Sequence, residues 1–272
     1  MKKYLNLFDF RQKVNYATEV LSGLTVALAL VPEAVAFAFL AGLSPLTGLY
    51  AAFSIGLITS IFGGRPGMIS GATGAIAIVF IGLIQELKLA DPSINTDTIT
   101  QYIFVTVVLA GIIQMLAGFF KLGKFIRLVP QSVMYGFVNG LAIVIFMAQF
   151  SSFKTEGEWM SGSSLYIMLG LVLLTMLIIF GLPKITKAIP SSLAAILVVF
   201  GLVKFFDLQT TSVGDLASIK GGFPPFNIPS LPMDFKTWII IIPYAFIVAA
   251  VGLVESLLTL NLIDEITETR GN

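Results

Sequence analysis

The sequence predicts an all-α polytopic membrane protein with about eight transmembrane helices, and three observations carry that reading. Of its 272 residues, 57% are hydrophobic and 11% charged, against about 25% charged in an ordinary soluble domain. The apolar residues fall in long continuous runs, without the alternation of a barrel strand. The lysines and arginines between the runs favour one side of the membrane, loop after loop.

A hydrocarbon core of roughly 30 Å takes about 20 helical residues. Runs at 20–42, 45–62, 68–84, 102–120, 129–150, 165–182, 191–206 and 238–263 meet or approach that length, the third and seventh being short. Residues 1–19 form a cytoplasmic lead-in: charges extend to Glu19, and the next run is too long for the apolar core of a cleavable signal. Tyr4, Leu5, Leu7, Phe8 and Phe10 of this lead-in suit the membrane interface.

Threading eight crossings from a cytoplasmic N-terminus puts Lys2, Lys3, Arg11, Lys13, Arg65, Lys121, Lys124, Arg127, Lys184, Lys187 and Arg270 inside. Only Lys88, Lys154, Lys204, Lys220 and Lys236 fall outside, where acidic residues from Glu86 to Asp234 predominate. A missed span would invert this bias downstream of it. Residues 207–237, rich in glycine and proline, read as an extracytoplasmic loop, and 264–272 as a cytoplasmic end.

Composition also excludes. With no histidine and no cysteine, the chain has no disulfide, no His/Cys metal site, no cysteine nucleophile and no histidine base. A serine-type intramembrane protease lacks its base here, and no paired-aspartate motif lies in the spans, so an enzyme is not expected. A net charge of +1 without a concentrated basic patch gives no sign of nucleic-acid binding.

Two acids stand inside apolar runs. Glu33 follows Pro32 in the first, and Glu255 lies past the middle of the last. A charge at bilayer depth costs at least a few kcal/mol and usually faces a cavity or a partner. Pro32 removes a backbone donor beside Glu33, and Glu33 and Phe37 share a helix face. They could line a site, or pack between helices. On the last run Val248, Gly252, Glu255 and Thr259 fall on one face, with Ser256 beside it. A carboxylate with hydroxyls nearby suits Na⁺ or a proton, or an interhelical hydrogen bond.

The third run opens on Arg65-Pro66-Gly67 and continues through Ser70, Gly71, Ala72, Thr73, Gly74 and Ala75. Residues this small allow close helix approach. Alternatively, a helix broken here would aim its N-terminal N–H groups and positive dipole end at an anion. In the fifth run Gly136 and Gly140, with Asn139 beside them, read as a packing seam.

Together these segments resemble the SulP family of inorganic anion transporters. ALVPEAVAFAFLAGLSPLTGLYAAF is similar to the family signature, GGRPGMISGATGAIAIV to its third-helix region and VPQSVMYGFVNGLAIVIF to its fifth helix. VGLVESLLTLNLIDEITETRGN resembles the eighth helix and the turn after it. GGRPGMIS and the eighth-helix segment look closest to bacterial members, including sodium-dependent bicarbonate transporters of cyanobacteria.

The resemblance implies a 7+7 inverted repeat working as an elevator, with the anion between two facing half-helices. It assigns Glu33, Phe37, Gly71, Ala72, Thr73 and Gly74 to the anion, and Glu255 with Thr259 to the coupling cation, Na⁺ or H⁺. No cofactor is implied. The expected activity is transport of sulfate or bicarbonate across the inner membrane of a bacterium, by a protein that is a homodimer when full length. Alternatives are a nucleobase permease of the same fold, or an anion channel or exchanger. The resemblance makes 20–206 the first repeat and 238–263 the first helix of the second. Helices nine to fourteen and a STAS domain are then missing, and the chain reads as an N-terminal fragment without the partner of helix three.

Overall fold

A computed structural model describes residues 15–63, 67–123, 131–155, 158–186, 189, 191–208, 210, 222–223, 228–230 and 235–268. Among them are eight α-helices: α1 (Tyr16–Leu40), α2 (Pro45–Phe62), α3 (Gly74–Ala90), α4 (Thr96–Phe119), α5 (Gln131–Ala148), α6 (Ser163–Ile185), α7 (Ser191–Phe205) and α8 (Phe235–Thr267). Each apolar run contains one. Five of them, α1, α2, α4, α6 and α8, are long and apolar enough to cross a membrane, and α7 is a shorter apolar helix. The lead-in residues Tyr4 to Phe10, the pair Arg65-Pro66, and Lys124, Arg127, Lys187 and Arg270 lie outside the described residues.

Local chemistry sets the helix ends. At the end of α1, Gly42 takes φ +66°, while Leu43 N–H donates to Ala38 and Gly42 N–H to Phe39. This pairing closes the orphan carbonyls of a helix end and calls for a left-handed residue. Ser44 then caps α2 by accepting from Thr47 N–H, and Pro45 fills the first helical position. At α4, Asn95 accepts from Thr98 N–H at 2.7 Å. This cap starts the helix at Thr96, six residues before the apolar run.

The third element departs most from the expected 68–84. Backbone over 68–73 is not helical, and α3 starts at Gly74 behind an N-cap at Thr73. The break expected from small residues is therefore real. Glycine and serine favour turns and caps over helix, and Thr73 stops the helix from growing backwards. The far end instead runs on through the polar residues Gln85, Glu86 and Lys88 to Ala90. At the last helix, α8 begins at Phe235 and continues to Thr267. It thus takes in residues assigned from sequence to the outer loop and to the cytoplasmic end.

The chain divides into two compact units, residues 1–35 with 149–219, and residues 36–148 with 220–272, the division falling inside α1. In the first unit α6 packs on α7. A two-residue antiparallel pair, β1 (Lys154–Thr155) with β2 (Glu158–Trp159), precedes α6. The Lys154 ammonium lies 4.8 Å from the centre of the Trp159 ring, a cation–π contact. Strands this short leave no periodic signal, so the hairpin was not expected.

In the second unit α8 packs against α4 and α3. Phe80, Leu83 and Leu87 of α3, Ile99, Ile103 and Ala110 of α4, and Val248 and Ala249 of α8 form its buried cluster. Thr106 is fully buried, and its hydroxyl donates to Tyr102 carbonyl at 2.7 Å, so it leaves no unpaired polar group. Outward faces are apolar: α6 has no buried residue, and Leu173, Leu177 and Phe180 are all more than 60% exposed. Water would oppose such a surface, while lipid accepts it; this is an integral membrane protein. Among the described residues, a Cβ at Gly136 or Gly140 of α5 meets nothing within 4 Å, so the expected seam has no partner there.

Candidate functional site

The break before α3 and the acid on α8 meet. Thr73 Oγ1 donates to both carboxylate oxygens of Glu255, at 2.9 and 2.8 Å, across 182 positions of sequence. The same oxygen accepts from Ala75 N–H at 3.3 Å, as a helix cap does. One hydroxyl thus joins the amino end of α3 to the only acid on the central face of α8. α3 has no acidic residue in its own first turn. Glu255 supplies from another helix the negative charge that a helix N-terminus favours.

The first carbonyl-to-amide bond of α3 is Ala77 N–H to Thr73, at 3.3 Å. With Ala75 N–H taken by the Thr73 hydroxyl, the amides of Gly74 and Ile76 have no partner among the described residues. Gly74 is buried under Phe37 of α1 and Ile145 of α5. A Cβ placed there would stand 2.8 Å from Phe37 Cε1 and 2.9 Å from Ile145 Cδ1. Only a residue without a side chain lets those two approach the helix start so closely.

Seven of the eight site residues singled out from sequence therefore lie in one unit: Phe37, Gly71, Ala72, Thr73, Gly74, Glu255 and Thr259. Gly71 and Ala72 lie half-buried in the non-helical stretch leading to Thr73. Thr259 is exposed, and its hydroxyl donates to Glu255 carbonyl at 3.0 Å. Glu33, one turn before Phe37 on α1, falls in the other unit and is exposed, while Ala34 and Ala38 are buried on α1.

Sequence reasoning missed Gln114 of α4. Its Nε2 donates to Ala249 carbonyl on α8 at 3.3 Å and lies over Gly252, one turn from Glu255. A glutamine in the apolar run GIIQMLAGF was the available signal. Among the described residues no cluster of three or more acidic side chains could hold a metal ion. Any cation here would rely on one carboxylate with hydroxyl and carbonyl oxygens.

Known proteins resemble the chain in sequence and in fold. The chain matches the sulfate permease family over residues 16–166. It is 44% identical over 266 residues to the putative sulfate transporter YbaR of Bacillus subtilis, covering 97% of this chain and 52% of that protein. It is 30% identical over 285 residues to the bicarbonate transporter BicA of Picosynechococcus, covering 98% of this chain and 49% of that one. The chain thus spans about half the length of the curated relatives it matches. Its fold superposes on the transmembrane domain of a cyanobacterial bicarbonate transporter BicA with a TM-score of 0.78 at 26% identity, covering 97% of this chain and 69% of that domain. With the family match running over more than half its length, the chain belongs to the sulfate permease family.

Proposed function

We propose that the protein serves secondary active transport of a small inorganic oxyanion, sulfate or bicarbonate, across a bacterial inner membrane, coupled to Na⁺ or H⁺. The observation that carries this reading is the start of α3 at Gly74, with two amides there lacking partners among the described residues and Glu255 brought alongside. Such amides, with the positive end of the helix dipole, suit an oxyanion and do not need histidine or a metal. The names of the relatives, a sulfate transporter and a bicarbonate transporter, support the substrate class.

Each residue then has a task. Gly74 and Ile76 offer backbone N–H groups, Gly71 and Ala72 keep the approach free of bulk, and Phe37 walls the helix start. Glu255 provides the charge for the coupling cation, with the Thr259 oxygen four residues on. Glu33 contributes to lining the anion path from α1. The unit that holds Thr73 and Glu255 is compact in itself, as a carrier moving by an elevator-like mechanism requires. In the whole transporter a second half-helix faces α3, two copies associate, and the N-terminus is cytoplasmic.

Uptake of radiolabelled sulfate and bicarbonate by the full-length protein, with and without a Na⁺ or pH gradient, tests this. The expected result is uptake of one of the two anions driven by one cation, and loss of that cation dependence in Glu255→Gln. Uptake of uracil or a purine in place of either anion would sink the oxyanion reading. Unchanged cation dependence in Glu255→Gln would remove Glu255 from coupling.

A further inference from the structure

The Thr73 hydroxyl, at the start of α3, donates to the Glu255 carboxylate of α8. Both carboxylate oxygens lie within 2.9 Å of the threonine Oγ1. That oxygen in turn accepts from an amide of the first turn of α3. An acid from another helix therefore takes the proton of the hydroxyl that caps a helix start with no acidic residue of its own, while the Gly74 and Ile76 amides beside it have no partner among the described residues. Resting on the transport reading above, we propose that Thr73 is a positioning residue that makes Glu255 a tethered competitor of the transported anion for the hydroxyl at the amino end of α3.

The consequence is a rule for coupling. With no cation bound, the carboxylate contributes a negative charge to the site and holds the capping hydroxyl, so an incoming oxyanion meets a like charge. A cation on the carboxylate cancels that charge and draws its oxygens away from Thr73, and the hydroxyl becomes free for the anion. The cation acts by removing a competitor. Linkage makes the effect reciprocal: bound anion strengthens cation binding by the same factor.

This differs from a simple picture in which Na⁺ attracts the anion directly. Under direct attraction, Glu255→Gln loses Na⁺ and anion affinity stays low. Under competition, Glu255→Gln binds the anion well without any Na⁺, because a neutral amide oxygen holds the Thr73 hydroxyl more weakly than a carboxylate does and adds no charge.

Equilibrium binding of radiolabelled sulfate, and separately bicarbonate, to the full-length protein in nanodiscs discriminates, in sodium buffer and in choline buffer. In the wild type, Na⁺ should raise anion affinity by a factor in the range typical of linked sites, about 5- to 150-fold. In Glu255→Gln the choline-buffer affinity should rise to the wild-type sodium value. In Thr73→Val the factor should fall toward one, and Thr73→Ser should restore it. The Glu255 carboxylate stretching band, read by infrared difference against Glu255→Gln without ligand, should shift in Thr73→Val and return in Thr73→Ser. Weak anion binding by Glu255→Gln in both buffers, or a Thr73→Val protein that keeps the wild-type factor, overturns the inference and leaves the transport reading standing. A wild type that binds neither anion in either buffer overturns both.

Discussion

Gln114 of α4 lays its side-chain amide across Gly252 of α8, donating to Ala249 carbonyl at 3.3 Å. A Cβ built on Gly252 would stand 2.5 Å from that amide nitrogen. The crowding atom is the end of a flexible side chain, so Gly252→Ala can be accommodated by swinging Gln114 away. The lost hydrogen bond costs roughly 0.5–1.5 kcal/mol, while alanine gains about 1 kcal/mol over glycine inside a helix. These nearly cancel. Thermal unfolding in detergent should show Gly252→Ala within a few degrees of wild type, and adding Gln114→Ala should cost it less than Gln114→Ala costs the wild type.

Gly74 gives the opposite result for a reason visible in its neighbours. A Cβ there would press on a ring carbon of Phe37 at 2.8 Å and on Ile145 Cδ1 at 2.9 Å. The Phe37 ring is not the end of a flexible chain as the Gln114 amide is, and overpacking of this kind costs typically about 1–3 kcal/mol. Gly74→Ala should therefore unfold at a distinctly lower temperature than Gly252→Ala. Equal melting temperatures for the two would show that Phe37 yields freely.

Much of this arrangement was legible in the sequence, and the parts that were not have identifiable causes. The eight apolar runs located the helices because lipid selects for length and hydrophobicity. Gly42-Leu43-Ser44-Pro45 announced a helix end and start through residues with few other uses. The start of α3 was misplaced by six residues, from 68 to Gly74, because the stretch before it is as apolar and small as the helix itself. Only Thr73, as a cap, marks the boundary. Which partner Glu255 takes could not be read, since its hydroxyl partner stands 182 residues away. Glu33 and Glu255 look alike in sequence, yet one is exposed and the other is held by Thr73. Hydrophobic context reveals that an acid is costly, and only packing reveals what offsets the cost.

At the end of α3 a second hydroxyl–carboxylate contact sets a pH response. Asp91 accepts from Ser93 Oγ at 2.6 Å and from Ser93 N–H at 2.9 Å, and these two bonds hold its pKa below the ordinary 3.8. A depressed carboxylate pKa stabilises the fold above the unfolded value and loses that contribution as pH falls through the folded value. The turn after α3 should thus loosen only under acid conditions below the ordinary aspartate range. Carboxyl carbon chemical shifts read against pH should place the Asp91 midpoint below 3.8 in the wild type and nearer to it in Ser93→Ala. A midpoint unmoved by Ser93→Ala would assign the depression to another group.

Thr259 separates a structural hydroxyl from a liganding one. Its Oγ1 donates to Glu255 carbonyl at 3.0 Å, a bond that helical threonines commonly make and that adds little stability. A hydroxyl that has placed its proton still carries lone pairs for a cation. The residue is exposed, so Thr259→Val should change stability by no more than about 0.5 kcal/mol. If the oxygen helps to hold Na⁺, the same substitution should weaken Na⁺ binding by roughly tenfold, corresponding to about 1.4 kcal/mol for one lost ligand, and Thr259→Ser should restore it. Isothermal titration with NaCl against choline chloride, beside a melting curve, measures both quantities on one sample. A valine variant that binds Na⁺ as wild type does would leave the Glu255 carboxylate as the α8 group that holds the cation, with Thr259 serving only its own helix.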